Sequence, residues 1–418
     1  MIDIADAQQR ILATVRALPA EEVPLSDALG RVLASDVHAP VALPPWDNSA
    51  MDGYAVRAGD TAGASHETPV SLRLTEIIAA GSVARAPVGQ GEAAAIMTGA
   101  PMPAGADAIV IVEDTDSARE GAVQVYEAAR PRRHIRREGE AVGRGDRVAV
   151  AGEEGTPGRL ALLAAVGVPR VQVVRRPRVA LLGTGDEVIP PGQPLGPGQI
   201  YSSNNVALAA QVRQAGGVPI DHGTVADDAA AQVRRLQAVL ADEPDLVLTT
   251  GGVSVGLFDH MKDVMAELGV AMDFWKVRMK PGKPLAFGTV GRVPLFGLPG
   301  NPVSCMVNFL QFVRPWMRTA LGAPRPFLPV VDAIARDDLS SRPGRARLDR
   351  VMLSRGADGR WEARSTGLQS SGAVVSMARA HGLLCIAPDA TGPRVGEPCR
   401  VQLLDPSFLD GVDADYGW

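Results

Sequence analysis

The first 35 residues carry apolar positions with the period of an α-helix. They recur every three or four positions, at Ile4, Ala7, Ile11, Val15 and Leu18. This spacing places them on one face of a helix. Asp3 is positioned to cap that helix, and Ser26 is a second residue of capping type. The pattern therefore predicts two helices in this segment, the second beginning at Ser26.

Between residues 44 and 150 the period shortens to that of β-strands. Alternating runs at 70–77 (VSLRLTEI) and 108–114 (AIVIVED) lie among stretches rich in glycine and proline, as is typical of strands joined by turns. One clear helix follows, with Thr156 as its cap, Pro157 in its first turn and Gly167 as its stop. We expect a β-rich region and then a short helix.

From residue 178 onward, strands and helices alternate. RVALLGTG, DLVLTTGG and VPLFGLPG each have the pattern of a buried strand that ends in glycines, whereas SSNNVALAAQVRQAGG and NPVSCMVNFLQFVRPWM have that of helices. This alternation predicts a parallel sheet between helices, on which ligands bind at the carboxyl ends of the strands. After APRPFLP (323–329) short strands and turns return, which predicts a small β domain up to about residue 411.

Composition narrows the class of protein. A chain of 418 residues is too long for one hydrophobic core. Its net charge of −5 argues against non-specific nucleic-acid binding. The N-terminus lacks the pattern of a signal peptide, and no apolar run approaches the ~20 residues of a membrane span. Three cysteines without paired spacing suit a reducing compartment. We expect a cytoplasmic protein that binds neither nucleic acid nor membrane.

Three glycine loops end the predicted strands of the α/β region. In GTGDE (183–187), glycines allow close approach of a ligand, and the adjoining acids can hold a hard cation. TTGGVSVGLFDH (249–260) offers free amides and hydroxyls suited to a phosphate, and GLPGNPVS (297–304) opens a helix at Asn301 and Pro302. Each loop alone could be an ordinary capped turn. Together, on one sheet, they indicate a site for a phosphorylated ligand, with Mg²⁺ as its metal.

Lysine is concentrated in one segment of this arginine-rich chain. The sequence has only four lysines, and three of them lie in WKVRMKPGKP (275–284). As a strand, residues 274–280 would place Lys276, Arg278 and Lys280 on one face, with Lys283 in the turn that follows. A solvated edge strand would explain the charges as well. However, the compact ammonium group of lysine suits a small tetrahedral anion better than a planar guanidinium does.

The loop PPWDNSAMDGYAVR (44–57) has no chemistry that can be assigned from its residues alone. None of the six histidines pairs at a metal-ligand spacing, and no Ser/His/Asp set supports a hydrolytic triad.

Several long motifs, in this order, resemble the molybdopterin molybdenumtransferase family: PPWDNSAMDGYAVR, IMTGAPMPAGADAIV, GTGDE, TTGGVSVG, KPGKP and GLPGNPVS. The family is bacterial and is related to the gephyrin E domain. The resemblance implies a molybdopterin-binding α/β domain at 171–324, a helical and linker domain at 1–43 plus 146–170, an inserted β-rich domain at 44–145 and a barrel-like β domain at 325–411. It also implies a Mg²⁺-dependent reaction in which adenylated molybdopterin is cleaved, AMP leaves and molybdate enters.

The resemblance also implies roles for individual residues. The catalytic set would be Asp259, Glu187, Lys280 and Asp52, with Glu187 and Asp259 holding the metal. The substrate would lie against Thr98, Gly183, Thr184, Gly185, Asp186, Asp227, Asp228, Gly251, Gly252, Ser254 and Lys276. Molybdate would lie against Lys283, Pro284, Ser304, Arg350 and Ser371. Asp52 and Thr98 would reach the cleft of the other subunit in a homodimer, and contacts with the adenylating enzyme and acceptor molybdoenzymes are expected.

Two positions depart from the family pattern. Ala141 replaces the aspartate that usually follows Gly139 and Glu140, and Leu348 replaces an aromatic residue. The first change removes a carboxylate, and the second is expected to alter packing only. A tungsten-inserting or inactive paralogue and a gephyrin-like scaffold are the alternative functions that the sequence leaves open.

Overall fold

The computed structural model describes residues 1–119, 121–252, 261–340 and 342–404. They divide into two compact units. Unit 1 comprises Met1–Glu21, Gly30–Ala34 and the chain from Val173 onward, and unit 2 comprises Glu22–Leu29 and Ser35–Gln172.

The helices within these ranges are short. The α-helices are α1 Ile4–Leu12, α2 Pro157–Ala165, α3 Ser203–Gln214, α4 Ala229–Ala241, α5 Met261–Glu267, α6 Pro302–Asn308, α7 Arg314–Ala320 and α8 Val374–Ala378. Single 3₁₀ turns occur at Leu25–Asp27, Ala58–Thr61 and Val112–Asp114, and a π-helical segment at Phe309–Val313 joins α6 to α7.

The strands of unit 2 are, with β1 and β12 at its ends, β1 Ala20–Pro24, β2 Val37–His38, β3 Asn48–Ser49, β4 Gly53–Val56, β5 Val70–Ile78, β6 Glu92–Ile96, β7 Ala108–Ile111, β8 Thr115–Arg119, β9 Ala122–Val125, β10 Ile135–Arg136, β11 Arg147–Ala149 and β12 Arg170–Val174. Those of unit 1 are β13 Arg178–Thr184, β14 Val188–Ile189, β15 Ile200–Tyr201, β16 Val218–Val225, β17 Leu246–Thr250, β18 Ala271–Lys276, β19 Met279–Lys280, β20 Pro284–Val290, β21 Val293–Leu298, β22 Val330–Ala335, β23 Ala346–Arg355, β24 Trp361–Ser365, β25 Gly382–Ile386 and β26 Pro398–Leu403.

Unit 2 is built around a six-stranded sheet in the order β7-β4-β6-β5-β9-β8. The strand predicted at 70–77 is confirmed, and the one predicted at 108–114 ends at Ile111, where a 3₁₀ turn begins. The predicted helix α2 is also confirmed, because the Thr156 hydroxyl accepts the Arg159 N–H at its first turn.

The second helix predicted near the N-terminus is wrong. Only the 3₁₀ turn Leu25–Asp27 forms there. The hydroxyl of Ser26 donates to the Asp27 carboxylate instead of capping a helix, and the Leu25 N–H donates to the Pro169 carbonyl at 3.0 Å. Long-range pairing of the backbone thus replaces the second turn that a helix would need.

Unit 1 contains the predicted α/β sheet, in the order β16-β13-β17-β21-β20-β18. The first four strands are parallel, as expected. β20 and β18 complete the sheet in antiparallel orientation. The connection from β20 to β21 is too short for a crossover, and a link of that length permits only an antiparallel pair.

Helix α1 packs against α7 and the π-helical segment, and its fully buried Ala7 and Ile11 belong to the same apolar cluster as residues of β13 and β21. Asp3 lies at the predicted N-cap position, but its side chain makes no capping hydrogen bond. Its carboxylate instead accepts from the Arg278 guanidinium at 2.6 and 3.1 Å. An ion pair with a distant strand has taken the place of the cap.

The C-terminal part of unit 1 is a closed barrel, as the resemblance implied. Its strands follow the order β23-β24-β22-β26-β25, and β25 pairs again with β23. β19 adds to this barrel in parallel orientation, with Met279 opposite Ala346 and Lys280 opposite Arg347. The lysine segment is therefore fastened directly to the barrel.

Candidate functional site

A cavity of about 620 Å³ lies at the carboxyl ends of the parallel strands. The register places Gly183 opposite Thr250 and Thr250 opposite Leu298, so the three glycine loops begin side by side. Many of the predicted site residues line it: Gly183, Thr184, Gly185, Glu187, Asp227, Gly251, Gly252, Lys280, Lys283, Pro284, Ser304 and Ser371. This is the edge of the sheet where parallel α/β folds bind ligands.

Glycine is required where two of these loops touch. Gly251 has φ +95°, and a Cβ there would lie 2.5 Å from the Thr184 hydroxyl oxygen. Gly185 has φ +133°, and its Cβ would lie 2.6 Å from Glu187 Oε2. A side chain at Gly251 would push the two loops apart, whereas a side chain at Gly185 would displace Glu187 within its own loop. The hydroxyl of Thr184 donates to the Thr250 carbonyl at 3.2 Å, which holds the first loop against the second.

The turn that carries Lys283 is held by buried contacts. The Asn308 amide nitrogen donates to the carbonyls of Gly282 at 3.2 Å and Pro284 at 3.5 Å, on either side of the lysine. The Lys283 carbonyl accepts the Val277 N–H at 3.0 Å. The backbone is thereby fixed from both sides, while the Lys283 side chain itself remains exposed in the cavity.

The single strand predicted over 274–280 is wrong. β18 ends at Lys276 in the α/β sheet, and β19 begins at Met279 in the barrel. Between them, the Met279 N–H donates to the Val277 carbonyl, so the chain turns and changes sheets. Val277 and Met279 are buried as expected, but the predicted cationic face does not form, because Arg278 pairs with Asp3.

Two of the four cations of this segment reach the cavity, Lys280 and Lys283. Lys276 is not among the described residues that line the cavity. A third cation, Arg345, was missed by the sequence analysis and lies in the cavity at the start of β23. Arg345 lies in the segment GRARLDR (344–350), from which the sequence analysis named Leu348 and Arg350 but not Arg345.

The predicted acids fall into separate environments. Glu187 and Asp227 line the cavity. Asp228 is the N-cap of α4, where its carboxylate accepts the Ala231 N–H at 2.7 Å. Asp186 accepts the backbone N–H of Asp227 at 3.2 Å. Asp228 and Asp186 therefore act on the backbone that presents Asp227.

The described residues contain no group of three or more His, Cys, Asp or Glu side chains that could enclose a metal ion. The predicted Asp259 and Ser254 lie outside the described residues. Mg²⁺ requires no such enclosure, since it is commonly held by one or two carboxylates together with substrate phosphates and water. Glu187, with Asp227 in the same cavity, fits that requirement.

Arg350 is buried, with 0% of its surface exposed. Its Nε donates to the Ser376 hydroxyl at 3.1 Å and its Nη2 to the Ser370 carbonyl at 3.2 Å. Its Nη1 has no hydrogen-bond partner within the described ranges. Burial lowers the pKa of Arg350 below its usual value, against the opposing effect of Asp349. Arg350 thus keeps an unpartnered donor, but it is not among the described residues that line the cavity.

Ser304 and Ser371 come from different domains of unit 1 and meet at this cavity. Ser304 is 4% exposed in the first turn of α6. The Ser371 carbonyl accepts the Val303 N–H at 3.1 Å, which ties the barrel loop to the same turn. Asn204 and Gln369 line the cavity too, and neither was predicted, because an isolated amide carries no motif.

In unit 2, Asp52 and Thr98 form a pair by themselves. The Asp52 carboxylate accepts the Thr98 backbone N–H at 2.6 Å and the Thr98 hydroxyl at 2.8 Å. These bonds hold the pKa of Asp52 below its usual value. Both residues are exposed. The pair is a preorganised carboxylate on the surface of unit 2.

The two departures from the family pattern lie in unlike settings. Ala141 is exposed, and its neighbour Glu140 accepts the Arg137 N–H at 2.8 Å, so that carboxylate already has a backbone donor. Leu348 is 4% exposed within the apolar cluster of unit 1. The expectation that Leu348 affects packing therefore agrees with its place in the fold.

Within the described ranges, no helix combines the length and apolar character that a membrane crossing needs.

Comparisons with known proteins cover nearly the whole chain. Three family models match in order: the MoeA N-terminal region (domain I and II) at residues 2–167, the probable molybdopterin binding domain at 180–319 and the MoeA C-terminal region (domain IV) at 332–404. Molybdopterin molybdenumtransferase 2 of Mycobacterium tuberculosis is 41% identical over 406 residues, covering 96% of this chain and 99% of that protein.

Two further relatives agree with these matches. Molybdopterin molybdenumtransferase of Bacillus subtilis is 34% identical and covers 96% of this chain and 94% of its own. A crystal structure of the molybdopterin biosynthesis moeA protein from Pyrococcus horikoshii superposes with a TM-score of 0.81 at 30% identity, covering 97% of this chain and 100% of that one.

Proposed function

The chain belongs to the MoeA family of molybdopterin molybdenumtransferases, which serve molybdenum cofactor biosynthesis by molybdate insertion, and we propose that adenylated molybdopterin is its substrate and AMP its second product. One observation carries the proposal. The cavity combines glycine loops at parallel strand ends with three cations, Lys280, Lys283 and Arg345, in a chain of net charge −5. A site of this kind concentrates anions locally.

The glycine loops are proposed to hold the phosphate part of the substrate. Gly183, Thr184 and Gly185 lie on one side, and Gly251 and Gly252 lie beside them. Backbone amides in such turns bind anionic oxygens without adding net charge. Asp227 would meet the same substrate, with Asp186 and Asp228 positioning its backbone. Lys276 and Ser254 are proposed as further contacts to the substrate, from the family resemblance alone.

Molybdate is proposed to bind among Lys283, Pro284, Ser304, Arg350 and Ser371. Two charges and two hydroxyls from separate elements suit a tetrahedral dianion, whose oxygens each need a donor at about 2.7–2.9 Å. The unpartnered Nη1 of Arg350 supports this assignment. A buried donor without a partner is costly to the free protein, and an oxyanion would satisfy it.

Mg²⁺ is proposed to be held by Glu187 together with Asp259. When bound, Mg²⁺ would neutralise charge on the phosphate oxygens of the substrate. Lys280 would add a positive charge in the same cavity, and Asp52 would supply a carboxylate that stays ionised at neutral pH.

The quaternary proposal is a cytoplasmic homodimer with a shared cleft. Asp52 and Thr98 would serve the active site of the other subunit. The adenylating enzyme would deliver the substrate, and acceptor molybdoenzymes would take the product.

The test is incubation with adenylated molybdopterin, Mg²⁺ and molybdate, with AMP and molybdenum-loaded cofactor measured together. We expect both products in equal amounts, and neither from Lys280→Ala. A second series with tungstate tests the tungsten alternative. Molybdenum loading without AMP would refute the adenylated substrate, and no loading at all would refute the reaction.

A further inference from the structure

In the barrel loop at 366–371, the side chain of Gln369 makes hydrogen bonds with the backbone of β23, as a neighbouring strand would. β23 and β24 pair up to Val351 and Ser365, and the next residue of the chain, Thr366, still donates its N–H to the Arg350 carbonyl at 3.2 Å. Arg350 is the next residue on β23. Its N–H donates to Gln369 Oε1 at 2.9 Å, and the Gln369 amide nitrogen donates to its carbonyl at 2.9 Å. The Gln369 amide thus supplies the acceptor for the Arg350 N–H that β24 does not offer, and it shares the Arg350 carbonyl with the Thr366 N–H.

The same loop is fastened at its two serines. The Ser370 carbonyl accepts from the Arg350 guanidinium, and the Ser371 carbonyl accepts from the Val303 N–H at α6. Gln369 therefore lies between the strand that carries Arg350 and the segment that carries Ser371. Because Gln369 also lines the cavity, a change in its side chain would displace the loop at the cavity wall itself.

We propose that Gln369 is a positioning residue for the oxyanion, which sets the separation between the Arg350 guanidinium and the Ser371 hydroxyl. This inference rests on the proposed molybdate site. It assigns to Gln369 no contact with the reacting atoms. Its two reciprocal bonds to one residue fix a distance between two donors that lie in the same barrel but on different segments.

The inference predicts that Gln369 affects the binding of molybdate but not that of adenylated molybdopterin. The glycine loops belong to the α/β domain and Lys280 lies on β19, and the described hydrogen bonds of the Gln369 side chain go only to Arg350, Ser365 and Thr366. Loss of its amide should therefore weaken molybdate alone. Gln369→Met keeps the length of the side chain and removes both bonds. We expect the molybdate concentration for half-maximal insertion to rise about tenfold, because the segment that carries Ser371 would no longer be held against the strand that carries Arg350 before molybdate binds. Saturating molybdate should restore the wild-type maximal rate.

Gln402→Met is the matched control. Gln402 lies in the same barrel, accepts the Gln311 amide at 2.6 Å and lies outside the described residues that line the cavity. Its replacement should lower the melting temperature to a similar extent and leave the molybdate requirement unchanged. A rise in both substrates' half-saturating concentrations in Gln369→Met, equal to that of the control, would reduce Gln369 to a structural residue and overturn the proposal.

A double-mutant cycle with Ser371→Ala gives the second test. If Gln369 acts through Ser371, adding Gln369→Met to Ser371→Ala should raise the molybdate requirement by less than it does in the wild type. Full additivity overturns the proposal. Gln369→Glu, which keeps the acceptor for the Arg350 N–H, replaces the methionine variant if that one does not fold. Failure of the wild type to load molybdenum would instead refute the proposed function, and so the two failures are distinguishable.

Discussion

Lys283 illustrates how one side chain is selected by the backbone around it. Its neighbour Gly282 has φ +97°, and a Cβ there would lie 2.7 Å from the Asn308 amide nitrogen. Pro284 restricts the other side. The stem of Lys283 therefore leaves the turn in one direction, and its ammonium group can approach one vertex of a tetrahedral anion from any angle. A guanidinium is wider and needs two coplanar acceptors.

We expect Lys283→Arg to keep the charge and the fold but to lose molybdate. The half-saturating molybdate concentration should rise at least about tenfold, since one charge-assisted hydrogen bond is lost. Insertion and AMP release at rising molybdate concentrations measure this, beside a melting curve. The melting temperature, which should match that of the wild type, is the control for folding. Normal saturation in Lys283→Arg would mean that charge alone suffices.

Thr98 controls the ionisation of Asp52. Its N–H and hydroxyl both bind the ionised carboxylate, so the pKa of Asp52 is depressed, and the interaction is present above the usual pKa and is lost as pH falls through the lowered one. Thr98→Val removes only the hydroxyl bond, and so the pKa should rise part of the way to its usual value. Carboxyl NMR titration measures it, with Thr75→Val as control. An unchanged pKa of Asp52 would contradict the assignment.

At the scale of elements, much of the α/β domain could be predicted, because its strands and helices carry their own apolar period and their own glycine stops in the sequence. The runs ending at Gly185, Gly252 and Gly300 form strands that end side by side, α3 forms within the predicted helical run, and in unit 2 α2 forms where its cap and stop indicated. Local pattern and tertiary structure agree in these elements.

The predictions that were wrong concern segments whose structural partners lie far away in the sequence. The lysine strand divides because β19 pairs with β23, a strand of another domain. Asp3 leaves its helix for Arg278, and Leu25 pairs with Pro169. Gln369 could not have been found either, since its role depends on where β24 stops pairing with Arg350. Periodicity contains no information about such partners.

The contact between the first two glycine loops can be tested with alanine. Gly251→Ala combines a positive φ with a Cβ placed 2.5 Å from the Thr184 hydroxyl. It should cost about 1–3 kcal/mol of unfolding free energy from backbone strain, and more from the clash. Binding of adenylated molybdopterin should be weakened as well. Denaturant unfolding and equilibrium binding measure the two effects.

Gly269→Ala is the matched control for that change. Gly269 also has a positive φ, +68°, but a Cβ there meets nothing within 4 Å. It should show the strain without the loss of substrate binding. Equal losses of stability and unaltered binding in both variants would show that the loops do not depend on their close approach.

For the whole molecule, the important fact is that the proposed residues belong to two compact units. Asp52 and Thr98 lie in unit 2, whereas Lys280 and the glycine loops lie in unit 1. A two-fold symmetric dimer can supply each of two sites with one set from either chain. We therefore expect Asp52→Ala and Lys280→Ala subunits, each inactive alone, to regain activity when they form a mixed dimer. The mixed dimer is obtained by co-expressing differently tagged subunits and purifying the product through both tags.

The expected activity of the mixed dimer follows from its two-fold symmetry. In the mixed dimer, one shared site receives both wild-type residues and the other receives both substitutions, so activity should be about half that of the wild type. The control pairs the double variant Asp52→Ala/Lys280→Ala with a wild-type subunit. With a shared cleft, each of its sites carries one substitution, and this dimer should be inactive. If each site instead used residues of its own chain, the results would be reversed: the control would keep half of the activity, and the mixed dimer would have none.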